Sequence, residues 1–277
     1  MVSLPAGTRP GVVRLRVRDV TRVGAFYRDV LGLLEQQCSP ACVQFAAADG
    51  TTLLRLDHEP DAVPRPAGAN GLYHFALLFP DRQSLGAAVR DVAAAGHRFQ
   101  GFADHLVSEA AYLADPEGNG IELYRDRPRE DWRWRAGSIL MATDPLDTRA
   151  LLDDADPAAA PPGRVPALRM GHIHLHTSDV ARAAAFYADV LGFDITTRAY
   201  PGAAFLSAGG YHHHLGLNEW GSGRSAPDGA TGLVEYELVV PDAATLTALV
   251  TATNADVNGG DARVRDPDGN TILLRVG

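Results

Sequence analysis

Ten histidines are spread through the 277-residue chain, and six of them fall in two short runs. His172, His174 and His176 alternate with Ile173 and Leu175 in MGHIHLH, while His212, His213 and His214 stand together in YHHHLGLN. Imidazoles two residues apart on an extended segment share one face. There they can ligate a divalent metal or move protons near neutral pH. A single strand histidine is more often a hydrogen-bonded core or surface residue, so the chemistry turns on what the fold brings against these two runs.

The elements that must position them are written more than once. PGVVRLRVRDVTRVGAFYRDVLGL (Pro10 to Leu33) returns as MGHIHLHTSDVARAAAFYADVLGF (Met170 to Phe193), and Val12, Arg14 and Arg16 of the first copy become His172, His174 and His176 of the second. Each copy opens with a period-2 strand, then places Asp19 or Asp179 where a helix N-cap belongs. A helix follows, carrying Val23, Phe26, Tyr27, Val30 and Leu31, or Ala183, Phe186, Tyr187, Val190 and Leu191, and it ends at Gly32 or Gly192. Short strand-like runs come next, split by Gly50 in the first copy and by Gly209 and Gly210 in the second. A second, more divergent pair also exists. GLYHFALLFPDRQSLGAAVRDVAAAG resembles GLVEYELVVPDAATLTALVTATNA, and the turn-and-strand runs DPEGNGIELYR and DPDGNTILLRV match. The predicted fold class is therefore α+β, with four βαβββ modules at about 10–57, 70–126, 169–218 and 231–277. They are expected to pair along the chain into two cup-shaped domains, 10–126 and 169–277, with 127–168 as connector. Within that connector, DRPREDWRWR is expected to dock on a domain edge and DDADPAAAPPGR to be a mobile loop.

Composition narrows the partners. The formal charge is −9 with no Lys/Arg run, which argues against nucleic acid and anionic membrane, and 46% hydrophobic content suffices for sizeable cores. A small ligand or a protein is the better partner. No apolar run reaches the ~18 residues of a membrane span, and the first residues lack a basic region followed by an apolar one, so a cytoplasmic location is expected. The two cysteines, Cys38 and Cys42, lack zinc-site spacing and are expected to be reduced and structurally incidental.

The openings DVxRAxxFYxDVLGF and closings DPxGNxIEL, repeated through four modules, resemble the vicinal oxygen chelate superfamily, which contains glyoxalase I, bleomycin-resistance proteins and extradiol dioxygenases. DHLVSEAAYLADPEGNGIELYRDRPREDWRW, MATDPLDTRALL, MGHIHLH and GGYHHHLGLNEW are similar, in order, to two-domain bacterial catechol 2,3-dioxygenases. The resemblance implies metal-ligand positions near the start of a module's first strand and within its last strand. Carried onto this chain, it gives His172, His214 and Glu235 as the ligand set of a C-terminal cup. Leu273 stands in the final strand, where such enzymes usually place Glu. His214 is preferred because Leu215 and Leu217 must face the helices, which puts His212, His214, Gly216 and Asn218 on the cup side. His213 remains the alternative ligand. The N-terminal cup keeps only His74 and Glu122, opposite Val12 and Leu54, and reads as a structural remnant or a weaker second site, with His105 placed to hydrogen-bond Glu122.

Two imidazoles and a carboxylate suit Fe(II), with Mn(II) as the alternative. The implied activity is extradiol cleavage of a catechol-like aromatic by O₂. His212 and His174 are the candidate acid/base groups, and Asn218 and Tyr211 the candidate substrate contacts. A metal-dependent glyoxalase-like lyase or isomerase and a non-catalytic aromatic-binding or resistance protein are the alternatives, and self-association is left open.

Overall fold

The structure is a computed structural model in which residues 3–155, 167–258 and 260–277 are described. Most of the loop expected to be mobile lies outside those residues. Module one comprises β1 (Arg9–Val17), α1 (Val20–Ala25), β2 (Leu34–Ser39), β3 (Cys42–Ala46) and β4 (Thr52–His58). Module two holds β5 (Gly71–Phe79), α2 (Arg82–Ala94), β6 (Gly101–Asp104), β7 (Ser108–Ala114) and β8 (Gly120–Asp126). The connector forms a small hairpin, β9 (Trp134–Arg135) with β10 (Ser138–Ile139), and α3 (Thr148–Asp153). Module three runs through β11 (Arg169–His176), α4 (Val180–Ala185), β12 (Asp194–Thr197), β13 (Ala203–Ser207) and β14 (Leu215–Asn218). Module four has β15 (Gly232–Val240), α5 (Ala243–Thr253), β16 (Asp256–Asn258), β17 (Asp261–Arg265) and β18 (Thr271–Val276).

The duplicated helices start as expected: the Asp19 and Asp179 carboxylates each accept from the backbone N–H three residues on, at 2.9 Å. Both then widen into a π-helical turn, Phe26–Val30 and Phe186–Val190. This extra residue in the turn swings Tyr27 and Tyr187 into full burial. In each module the first strand runs parallel to the last, as in β1 with β4 and β5 with β8.

The expected pairing of modules along the chain is corrected. One eight-stranded sheet has the order β16-β17-β18-β15-β1-β4-β3-β2, joining modules four and one; the other, β12-β13-β14-β11-β5-β8-β7-β6, joins modules three and two. The seams are antiparallel: β1 against β15 and β11 against β5. All four first strands alternate in the same way, so periodicity leaves open which free edge meets which. Within each half the modules share one hydrophobic core and a set of polar links. Tyr27 donates to Asp115 at 3.0 Å and Tyr187 to Asp266 at 2.9 Å, while Glu117 accepts from the backbone N–H groups of Arg18 and Asp19. The halves are thus interlocked, linked within by these bonds and across by the sheets.

Two smaller expectations resolve here. Trp132 of the connector docks, 8% exposed, with its indole N–H donating to the Arg127 carbonyl, whereas Trp134 stays exposed. Cys38 and Cys42, expected as free thiols, are disulfide-bonded. The β2–β3 hairpin sets Ser39 opposite Cys42 and brings the two Cα atoms to 5.4 Å, inside the range a disulfide spans. Zinc-site spacing was the wrong test for cysteines flanking a hairpin turn.

Gly120 is fixed by close approach: a Cβ there would overlap the Tyr73 carbonyl oxygen, where β5 and β8 pair with His74 beside Gly120. Gly120→Ala should force these strands apart, costing about 1–3 kcal/mol in chemical denaturation. The variant should also hold metal less tightly, because both strands carry residues of the candidate metal centre described next.

Candidate metal centre

Three side chains converge at the β11–β5–β8 seam. β11 sets His172 opposite Ala76 of β5, and Ala76 in turn lies beside Glu122 of β8. His172 and Glu122 therefore flank a residue with only a methyl group, and they meet over it: His172 Nε2 is 3.0 Å from Glu122 Oε2. His74 comes from the next row of the same face, two residues before Ala76, with Nε2 3.1 Å from the same oxygen. The three donor atoms lie within 4.8 Å of one another, and the residues are 6%, 3% and 1% exposed for His74, Glu122 and His172.

The donor set fits a divalent cation. His74 Nε2 is buried with no hydrogen bond aligned on it, an orphaned nitrogen beside a buried carboxylate. Burial pulls the His74 pKa down, favouring the neutral ring that ligates. For Glu122, burial alone would raise the pKa, but the His172 and His74 rings outweigh it and hold the carboxyl well below its usual range. Neutral imidazoles and an ionised carboxylate are the ligating forms. Two His and one carboxylate leave the remaining coordination positions open.

Above the centre is a cavity of about 230 Å³, smaller than the ~300–1,000 Å³ typical of sites for drug-sized ligands. Tyr73, Phe205, Tyr200 and Trp220 give it aromatic walls, and His105, Tyr112, His174 and His213 add polar groups. His105 does not bond Glu122 directly as expected. Its Nδ1–H donates to the Ala142 carbonyl at 2.6 Å, so Nε2 accepts from the Tyr112 hydroxyl at 2.6 Å, and Tyr112 sits opposite Glu122 on β7. Burial and the Glu122 charge push the Tyr112 pKa well up, keeping it a hydroxyl donor.

The structure therefore brings together a different set from the expected His172, His214 and Glu235. Of these only His172 is at the centre. Glu235 lies in the other sheet, accepting from Arg263 at 2.8 Å and Arg14 at 3.2 Å. That sheet bounds a larger concavity of about 890 Å³, but it carries Val12 and Leu273 at the positions equivalent to His172 and Glu122. The sheet of modules one and four thus lacks this donor set, and His74 and Glu122, expected in a remnant cup, lie beside His172 in the sheet of modules two and three. Glu235→Gln should leave metal stoichiometry unchanged while lowering stability by about 1–3 kcal/mol, since it weakens charge-assisted bonds to two arginines. Metal analysis beside a urea melt checks both halves of this expectation.

His213 and His214 exchange roles for a local reason. β14 begins only at Leu215, so residues 211–214 are irregular and strand alternation does not extend through them. His214 turns outward, stacked on Tyr211 at 4.7 Å, with Nδ1 accepting from the Ala208 N–H. His213 faces the cavity. His174 faces it too, with Nε2 accepting from Asn218 Nδ2 at 2.9 Å. Asn218 is spent on that bond and on accepting from His176 at 2.6 Å, which makes it a support for the histidines and not a substrate contact. Tyr211 and His212 lie behind the cavity wall, bonded to Asp126. One signal for the carboxylate of this group was in the sequence: Glu122 sits in a final strand, where the resemblance implied a Glu.

This architecture is that of a family. The model described as Glyoxalase/Bleomycin resistance protein/Dioxygenase superfamily matches residues 9–123 and 169–274, and the chain belongs to that superfamily. A catechol-2,3-dioxygenase of Bacillus subtilis (strain 168) is 44% identical over 251 residues, covering 87% of this chain and 86% of that protein. Among solved structures, a putative dioxygenase from Bacillus subtilis superposes with a TM-score of 0.70 at 11% identity, covering 100% of this chain and 86% of that one. Glyoxalase I from Zea mays superposes at 0.60 and 18% identity, covering 96% and 92%. Among the described residues no helix is long and apolar enough to cross a membrane.

Proposed function

We propose that this chain is an Fe(II)-dependent extradiol dioxygenase that opens the ring of a catechol-like aromatic with O₂. The observation that carries the reading is the His74, Glu122 and His172 set at the floor of a small aromatic-walled cavity. The B. subtilis relative, named for catechol 2,3-dioxygenation, supports it.

An iron held by these three residues would act as a Lewis acid and bring an ortho-dihydroxy ring and O₂ together. The chain's own groups do the rest. Tyr73, Phe205 and Trp220 offer faces and edges to a single ring. His174 has its Nε2 occupied by Asn218, so as a neutral ring it carries its proton on Nδ1 and can only donate. His213 is left as the group to take a hydroxyl proton from the ring and later return it. Burial and the surrounding imidazoles hold its pKa well below the ordinary value, so it enters the reaction as a free base.

Protein reconstituted anaerobically with Fe(II) should consume one O₂ per catechol, with both oxygen atoms in a coloured ring-opened product. Failure across a panel of catechols, with activity under Ni(II) or Zn(II) in the absence of O₂, would replace this reading by glyoxalase-type chemistry.

A further inference from the structure

His213 is the inner end of a three-residue hydrogen-bonded chain that leaves the cavity. Its Nδ1 lies 2.7 Å from Nδ1 of His212, and His212 Nε2 lies 2.8 Å from Asp126 Oδ1. Asp126 ends β8 four residues after Glu122, and its side chain, one quarter exposed, opens on an outer cleft of about 380 Å³ that also contains Arg129 and Trp132. His212 is fully buried, with the Trp132 ring centred 5.1 Å from its own. Tyr211 donates to the same Asp126 oxygen at 3.1 Å and is itself 2.7 Å from the Tyr124 hydroxyl.

With one proton on each ring, the direction of every bond in this chain follows from its outer end. A carboxylate only accepts, so His212 Nε2 carries a proton. That single proton leaves a lone pair at its Nδ1, and the short contact between the two Nδ1 atoms then needs a proton from the other ring. His213 therefore carries its proton on Nδ1, which leaves Nε2 with a lone pair. We propose that Asp126 and His212 are positioning residues that set the tautomer of His213, presenting its Nε2 as a hydrogen-bond acceptor to a substrate hydroxyl. Neither residue needs to touch substrate. The role rests on the reading of His213 as proton acceptor given above, but the tautomer itself does not.

Long-range ¹H–¹⁵N spectra of the full metal-free chain, with ¹⁵N-labelled histidine, read the tautomer without any catalysis. The parent should show His213 protonated at Nδ1 and His212 at Nε2, with His213→Gln giving the assignment. In Asp126→Asn the side-chain NH₂ can donate to His212 Nε2 and reverse the chain, so His213 should shift to the Nε2–H form. With Fe(II) and catechol the same variant should lose about 10–100-fold in kcat with little change in KM. His212→Phe, which cuts the chain without reversing it, should give a mixture of His213 tautomers and a smaller loss. A parent His213 already protonated at Nε2, a doubly protonated His212, or an Asp126→Asn variant with unchanged tautomer and kcat would overturn the proposal. Absence of ring cleavage in the parent would instead defeat the dioxygenase reading, leaving the tautomer result to stand or fall on its spectra.

Discussion

Replacing any one of His74, Glu122 and His172 by alanine should strip the chain of tightly held metal and reduce ring cleavage to background. Each supplies one of three donor atoms gathered within 4.8 Å, and no fourth His, Cys or carboxylate among the described residues joins that group to compensate. The loss of affinity should exceed the ~10–100-fold that follows removal of a residue merely supporting a ligand. Metal content after gel filtration, measured beside thermal unfolding, separates this from misfolding. The comparison that decides between the two sheets is His74→Ala against Glu235→Gln. Full metal retention in the former and loss in the latter would move the centre to the sheet of modules one and four.

His213→Phe should separate proton transfer from metal binding. The phenyl ring occupies similar space in a cavity already walled by Phe205 and Trp220, so iron loading and catechol binding should persist. Turnover should nevertheless fall by about 10²–10⁴-fold, the contribution expected of a positioned general base. His214→Phe is the matched control. That ring is stacked on Tyr211 outside the cavity, and its loss should leave kcat within about threefold while perturbing the outer cleft. Equal effects from the two substitutions would mean that neighbouring histidines act only through the shape of the 211–214 segment.

The sequence by itself determined the module and much of its interior. Repetition of the strand, capped helix and Gly stop revealed four βαβββ units, because local propensity and burial period act within a dozen residues. It also singled out His172 as a candidate ligand and put His74, Glu122 and His174 on faces directed at a cup. What it left open was which cup. Every module offers a similar free first strand, and the choice of β11 beside β5 over β11 beside β15 depends on contacts between residues some hundred positions apart. The antiparallel seam that sets His172 against Ala76, and Ala76 beside Glu122, exists only once that choice is made. The facing of His213 was likewise a tertiary decision. Alternation is a property of regular strand, and residues 211–214 take their path from the Gly209–Gly210 turn, the Asp126 carboxylate and the Trp132 ring, none of which imposes a period on the chain.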